Sequence, residues 1–223
     1  MSVRHSPARP YNCSIMTARA AGSWLVLIPC VLGGLGLFTA RQAGDGTATF
    51  YVITLLTAAL YAGTWWVWGD RQAFSGRVAP DLFRGMALGG ALAVVFLLGA
   101  LVVRHIPLLA GPVSELLSMP SAGGWLPTLT VLVLNGIGEE LVYRDALPRQ
   151  LRGRFTEVAV GVISTDVYCL ITIGMGVPLL VFAAGVLGAL CFYEASRTRR
   201  VISPIAVHLT WSVTMLLAMP LVL

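Results

Sequence analysis

The sequence contains no lysine, so all 15 of its basic residues are arginine. Charge of either sign is scarce: charged residues make up 11% of the chain, against 57% hydrophobic, and the mean hydropathy is +0.82. Such a chain cannot cover a water-facing surface, which excludes an ordinary soluble domain. The arginines are not gathered on an aromatic-bearing polar segment, which argues against nucleic acid as a partner despite a net charge of +5. Four cysteines, Cys13, Cys30, Cys169 and Cys191, are scattered without a CxxC or other close pair, so neither a disulfide framework nor a thiolate metal site is indicated.

What the chain does have is apolar runs of about 20 residues, the length that crosses a ~30 Å hydrocarbon core. Seven are legible, at 22–40, 49–68, 85–103, 125–143, 157–175, 177–193 and 201–222. The expected fold is therefore an all-α polytopic bundle, with a cytoplasmic tail over 1–20 and one membrane domain over 21–223. With the N-terminus in the cytoplasm, only Arg41 and Arg104 fall outside and the other 13 arginines fall inside, so the positive-inside rule sets the orientation. Seven spans then put the C-terminus outside, and the plasma (inner) membrane is the expected location. The first run reads as a retained signal anchor, because candidate cleavage sites place Phe38 or Arg41 at the minus-three position.

No internal repeat is visible and no loop is long enough for a soluble domain. Residues 106–124 carry prolines near both ends of a helix-sized stretch, which suits a short helix at the outer interface. Gly85 and Gly89 form a GxxxG spacing, of a kind that 24 glycines readily produce by chance. Trp65, Trp66 and Trp68 read as an interfacial belt at the cytoplasmic end of the second span.

The informative residues are the ionisable ones within spans, because an Asp at a helix centre costs about 2.5 to 3.5 kcal/mol on insertion scales and is kept where it faces a cavity or a partner. There are four: Glu139 and Glu140 in span four, Asp166 in span five and His208 in span seven. On an ideal helix Glu140 and Arg144 share a face one turn apart and can pair, while Glu139 is rotated by ~100° and lies over Asn135. That pairing gives Glu140 a structural reason to be there. Glu139, closely preceded by the small residues Gly136 and Gly138, has none, and is the candidate general base.

The stretch "NGIGEELVYRDAL", with EExxxR at Glu139, Glu140 and Arg144, followed by a late-span histidine in "IAVHLTWSV", resembles the CAAX-protease and bacteriocin-processing (CPBP or Abi) family of intramembrane proteases, which includes the prenyl-protein endopeptidase Rce1. The resemblance covers 125–222. It implies a four-helix catalytic core in the C-terminal half, in which Glu139, Glu140, Arg144 and His208 belong to the site. Two family positions differ. Ser212 stands where HxxxN has asparagine, and in "VISTDVYCLITIG" the FxxxH motif aligns with Tyr168 and Thr172, so Thr172 replaces a histidine. Asp166 is a candidate to compensate: counted from the cytoplasmic end at 1.5 Å per residue it lies roughly 14 Å deep, against roughly 22 Å for Thr172 and about 12 Å for His208. A divalent metal such as zinc would find only Glu139 and His208 as ligands here.

The sequence lacks HExxH, a GxGD accompanied by a second intramembrane aspartate, and a GxSx with a partner histidine, which sets aside the other intramembrane proteases. Two expectations remain. One is an endopeptidase acting on membrane-associated protein or peptide substrates, in which Glu139 activates water, His208 and Ser212 stabilise the oxyanion, and Glu140 with Arg144 holds the motif. The other keeps the fold without the chemistry, as a scaffold, immunity or chaperone protein. A proton-coupled transporter using Asp166 and Glu139 is disfavoured by the absence of a repeat. In all three the lipid bilayer is the surrounding solvent, and a cavity opening to the cytoplasm is expected among spans four to seven.

Overall fold

The computed structural model describes residues 24–76 and 78–223. The expected tail over 1–20, Cys13, His5 and the first two residues of the first span lie outside them. The described chain is helical, with helices α1 (Leu27–Gln42), α2 (Ala48–Trp68), α3 (Val78–Val103), α4 (Pro107–Leu117), α5 (Met119–Gly123), α6 (Trp125–Glu140), α7 (Leu147–Leu151), α8 (Glu157–Thr172), α9 (Pro178–Thr198) and α10 (Ile202–Ala218). It is an all-α polytopic bundle, and the protein is an integral membrane protein. Among the described residues six helical runs are long and apolar enough to cross a bilayer by themselves: Trp24–Gln42, Ala48–Trp68, Val78–Val103, Glu157–Met175, Pro178–Thr198 and Ile202–Leu221.

The fourth expected span differs from its sequence reading. Helix α6 has 16 residues, about 24 Å, which falls short of the hydrocarbon thickness. It does not stop there, however, but continues through a π-helical segment, Leu141–Ala146, into α7. Pro148 supplies a local reason, because in a regular α-helix its ring would meet the carbonyl of Arg144, and the wider π turn relieves that crowding. Every residue of the π segment is buried. The expected interfacial helix is two helices, α4 and α5, and neither buries an apolar stripe of its own, since Pro120 is their one buried residue.

The GxxxG spacing proves to be a packing device. A Cβ placed on Gly85 would lie 2.4 Å from the Ser203 carbonyl oxygen, and one on Gly89 would lie 2.5 Å from that of Val207. Helices α3 and α10 therefore touch backbone to backbone, in the manner of small-residue seams between membrane helices. The arginine-rich end of this layer is held by Glu194, fully buried, which accepts from Arg84 Nε and Nη2 at 2.9 and 3.0 Å and from Ser203 Oγ at 2.8 Å, tying α3, α9 and α10 together.

The tryptophan cluster is only partly a belt. Trp66 is exposed, but Trp65 Nε1 donates to Asp145 Oδ2 at 2.7 Å, as does the Asp70 backbone N–H. Arg149 completes the knot with ion pairs to Asp145, at 2.8 Å, and to Asp70. The loop after α2 is thereby fastened to the π segment and α7.

Candidate active site

Glu139 and Glu140 close α6, where consecutive positions point about 100° apart and so reach different neighbours. Glu140 is fully buried and faces both Arg144 and α10. Its Oε2 lies 3.3 Å from Arg144 Nε, the expected one-turn pair, and its Oε1 lies 2.8 Å from Nδ1 of His208. The second contact was not legible in the sequence. It gives Glu140 a use beyond holding the arginine: with Nδ1–H donated to the carboxylate, the imidazole is fixed in orientation and Nε2 is the ring atom left free.

That free nitrogen faces Glu139, 3.8 Å from its Oε2. Glu139 is held from two other sides. Asn135, one turn earlier on α6, donates through Nδ2 to Oε1 at 2.6 Å, and Tyr168 of α8 donates through its hydroxyl to Oε2 at 2.7 Å. The Tyr168 ring also carries the Arg144 guanidinium, whose carbon is 4.9 Å from the ring centroid. Tyr168 thus links both glutamates of the motif, one by hydrogen bond and the other through its arginine.

Small residues line this convergence. Gly136 leaves space beside His208, since a Cβ there would be 3.7 Å from Nε2 and 3.1 Å from Leu209. Gly188 of α9 does the same beside Arg144, with a Cβ falling 3.3 Å from Nη2.

Two cavities flank the cluster. An apolar chamber of about 590 Å³ is lined at one end by Glu139, Tyr168, Thr172, His208 and Ser212, and beyond them by apolar residues of α3, α4 and α9. It runs toward Val103, Met175 and Met219, at the helix ends opposite the arginine-rich end. The sequence had suggested an opening toward the arginine-rich end. What lies there is a second, polar vestibule of about 1050 Å³, lined by Arg144, Arg149, Arg199 and Arg200 together with Asp70 and Asp145. The buried Glu140–Arg144 pair stands between the two, because Arg144, one turn past Glu140, extends the motif toward the arginine-rich end.

The residues singled out in the sequence fall into three groups. Glu139, Glu140, Arg144 and His208 form one cluster. Ser212, half-buried one turn after His208, lines the same chamber. Thr172 lines it too, but its hydroxyl donates back to the Tyr168 carbonyl at 2.8 Å, which leaves that hydroxyl engaged within its own helix. Asp166 is not brought to the site. It is two residues from Tyr168, hence ~200° around α8, and it is exposed on the opposite face. Depth had favoured it, and rotation removes it. Asn135 and Tyr168 carry the contacts to Glu139; the sequence placed Glu139 over Asn135 but gave neither residue a part in the site. The signals for them were the i, i+4 spacing to Glu139 and the aromatic position of the second motif.

Among the described residues no group of three His, Cys, Asp or Glu side chains is placed to hold a metal ion. Glu140 is engaged by Arg144 and His208, which leaves Glu139 and Nε2 of His208, a donor pair rather than the three protein ligands usual at catalytic zinc.

Residues 121–214 match the model of the family described as type II CAAX prenyl endopeptidase Rce1-like. The match takes in α6, the π segment, α7 to α9 and most of α10, with every residue of the cluster inside it. No curated protein and no solved structure matches the chain.

Proposed function

Starting from a CPBP-family region of the Rce1-like kind, we propose that this protein is an intramembrane endopeptidase that hydrolyses peptide bonds of membrane-associated substrates with water activated by Glu139. The observation that carries this reading is the facing pair of Glu139 Oε2 and His208 Nε2 at the end of the chamber, 3.8 Å apart. A water bonded to both groups would occupy the apex above that gap. Glu139 takes a proton from the water as its oxygen attacks the scissile carbonyl carbon. His208, carrying a proton on Nε2, donates to the developing oxyanion and then to the leaving amine, and the Ser212 hydroxyl is a second donor from the same helix face.

Asn135 and Tyr168 act by holding the Glu139 carboxylate, and Glu140 acts by holding His208. Because the chamber is apolar, these few charges work in a medium that weakens them little. The carboxylate and imidazole are the only groups to which proton transfer is assigned. The proposed topology keeps the N-terminus and the arginine-rich end in the cytoplasm, in keeping with the arginine distribution. Nothing in the chamber restricts the substrates to prenylated CAAX proteins.

The test is cleavage of co-expressed membrane substrates by wild type and Glu139→Gln. An amide cannot accept the proton, so the variant should be inactive, and cleavage that survives the change would defeat the assignment. A second reading, a non-catalytic membrane scaffold, is favoured by Thr172, which stands at a histidine position and spends its hydroxyl on its own helix. Thr172→His separates the two. An enzyme should gain rate, within the 10²- to 10³-fold worth of about one catalytic donor, whereas a scaffold cleaves nothing in either form.

A further inference from the structure

The catalytic cluster leaves one intramembrane charge unused. Asp166 is the tenth of the 19 residues of the helical run Glu157–Met175, which puts it at mid-depth in the bilayer. It is exposed, and it makes no hydrogen bond or ion pair with any other described residue. Its neighbours along the same face are Val158 (78% exposed), Val162 (54%), Leu170 (66%) and Ile173 (56%), an apolar stripe at helical spacing with one carboxylate at its centre. Beside it, one turn on, Cys169 packs against Gly185 of α9, whose Cβ position lies 3.6 Å from the sulfur. A glycine at that point leaves the seam between α8 and α9 low enough for another helix to lie close.

Acids at mid-membrane are kept where they meet a partner or water, because hydrocarbon offers an exposed carboxylate neither. This chain cannot supply the partner from a second copy of itself. It has no lysine. Of its described basic groups near the membrane interior, Arg144 and His208 are buried in the active-site cluster and Arg84 is held by Glu194. A symmetric contact of two copies through this face would set Asp166 against Asp166.

We infer that the exposed face of α8 is a docking surface for a transmembrane helix of another protein, one that carries a basic residue, arginine or lysine, at mid-depth in an otherwise apolar run. The Asp166 carboxylate gives the contact its register, because only a helix whose cation comes to the same depth can pair with it. Val162 and Leu170, one turn to either side, give it apolar area. The surface lies on the far side of α8 from Tyr168, so the partner docks beside the catalytic cluster without entering it. This inference does not depend on the proposed hydrolysis.

The test uses the full chain, donor-labelled, in phosphatidylcholine vesicles with an acceptor-labelled synthetic Leu/Ala transmembrane helix bearing one central arginine, alongside the same helix with a central leucine. The arginine helix should bind wild type roughly 3- to 30-fold more tightly than Asp166→Leu, the range for one polar contact between membrane helices. The leucine helix should not distinguish the two proteins. Because Asp166 is exposed, Asp166→Leu should unfold at a temperature no lower than wild type. Glu139→Gln should bind the arginine helix as wild type does. Equal binding of the arginine helix to wild type and Asp166→Leu would overturn the inference. So would a loss of binding in Glu139→Gln, which would place the helix in the active site. Energy transfer between two copies of the chain that disappears in Asp166→Leu would make the face a self-association surface instead.

Discussion

Adjacent glutamates that differ by one position in the sequence should respond to the same substitution in opposite ways. Glu140 is fully buried between Arg144 Nε at 3.3 Å and His208 Nδ1 at 2.8 Å. In Glu140→Gln the amide oxygen can serve only one of them, and the amide N–H₂ is turned against a donor at the other. The Arg144 charge, itself only 2% exposed, is left uncompensated. Removing one partner of a buried pair costs about 3–5 kcal/mol, and at roughly 2–4 °C per kcal/mol for a chain of this size the melting temperature should fall by about 6–20 °C. Glu139→Gln is milder, since Asn135 Nδ2 still finds an amide oxygen to donate to, and what is weakened is the charge-assisted bond from Tyr168, at about 1 kcal/mol, and the looser 3.8 Å pairing with His208. The assay is thermal unfolding of the two variants in lipid nanodiscs, read beside substrate cleavage. Glu139→Gln should be stable and inactive, and Glu140→Gln should be unstable. Adding Arg144→Met to Glu140→Gln should recover stability, because the orphaned charge goes with it, without recovering activity, because a neutral amide oxygen can still orient His208 but no longer stabilises its protonated ring. If Glu140→Gln melted within about 1 kcal/mol of wild type, or if the double variant were no more stable than the single, the view of Glu140 as the keystone of a buried charge cluster would be wrong.

Tyr168→Phe keeps the ring under Arg144 and removes the donor to Glu139; cleavage should fall by roughly 10- to 100-fold, the worth of about 1.5–3 kcal/mol for a bond to a charged group, while melting falls less than in Glu140→Gln. Gly89→Val should lower stability by about 1–3 kcal/mol or more, because its Cβ meets the Val207 carbonyl at 2.5 Å, and Gly90→Val, with nothing within 4 Å, should not; equal effects in a melting comparison would deny the α3–α10 seam. For topology, single-cysteine variants Leu108→Cys and Arg197→Cys should label with an impermeant maleimide from outside and inside respectively, and the reverse pattern would invert the proposed orientation.

The features that could be read from the sequence are those set by local geometry. Hydropathy gave the helices because lipid forces every backbone polar group to be satisfied within its own segment. The Glu140–Arg144 pair and the Asn135–Glu139 bond were both implied by four-residue spacing on one helix, where neighbours are fixed by the 3.6-residue turn. The limits appear wherever a second element intervenes. Depth along α8 suggested that Asp166 could serve the site, but which way a residue faces depends on how its helix is rotated against α9 and α1, and that rotation put Tyr168 inward and Asp166 outward. Gly85 and Gly89 were indistinguishable from chance spacing until α10 lay against them.

What the sequence by itself determined is therefore the membrane class, the helical segments and the pairing of the EExxxR motif with itself. Only the tertiary structure decided that His208 bonds to Glu140, 68 positions away in the sequence, and turns its free nitrogen to Glu139, a separation that no periodicity connects. It also decided that the two cavities meet the cluster from opposite ends of the bundle. The reason is physical: contacts within a helix follow from its pitch, whereas contacts between helices follow from which small residues let the backbones close and at what rotation, and those are properties of the packed bundle.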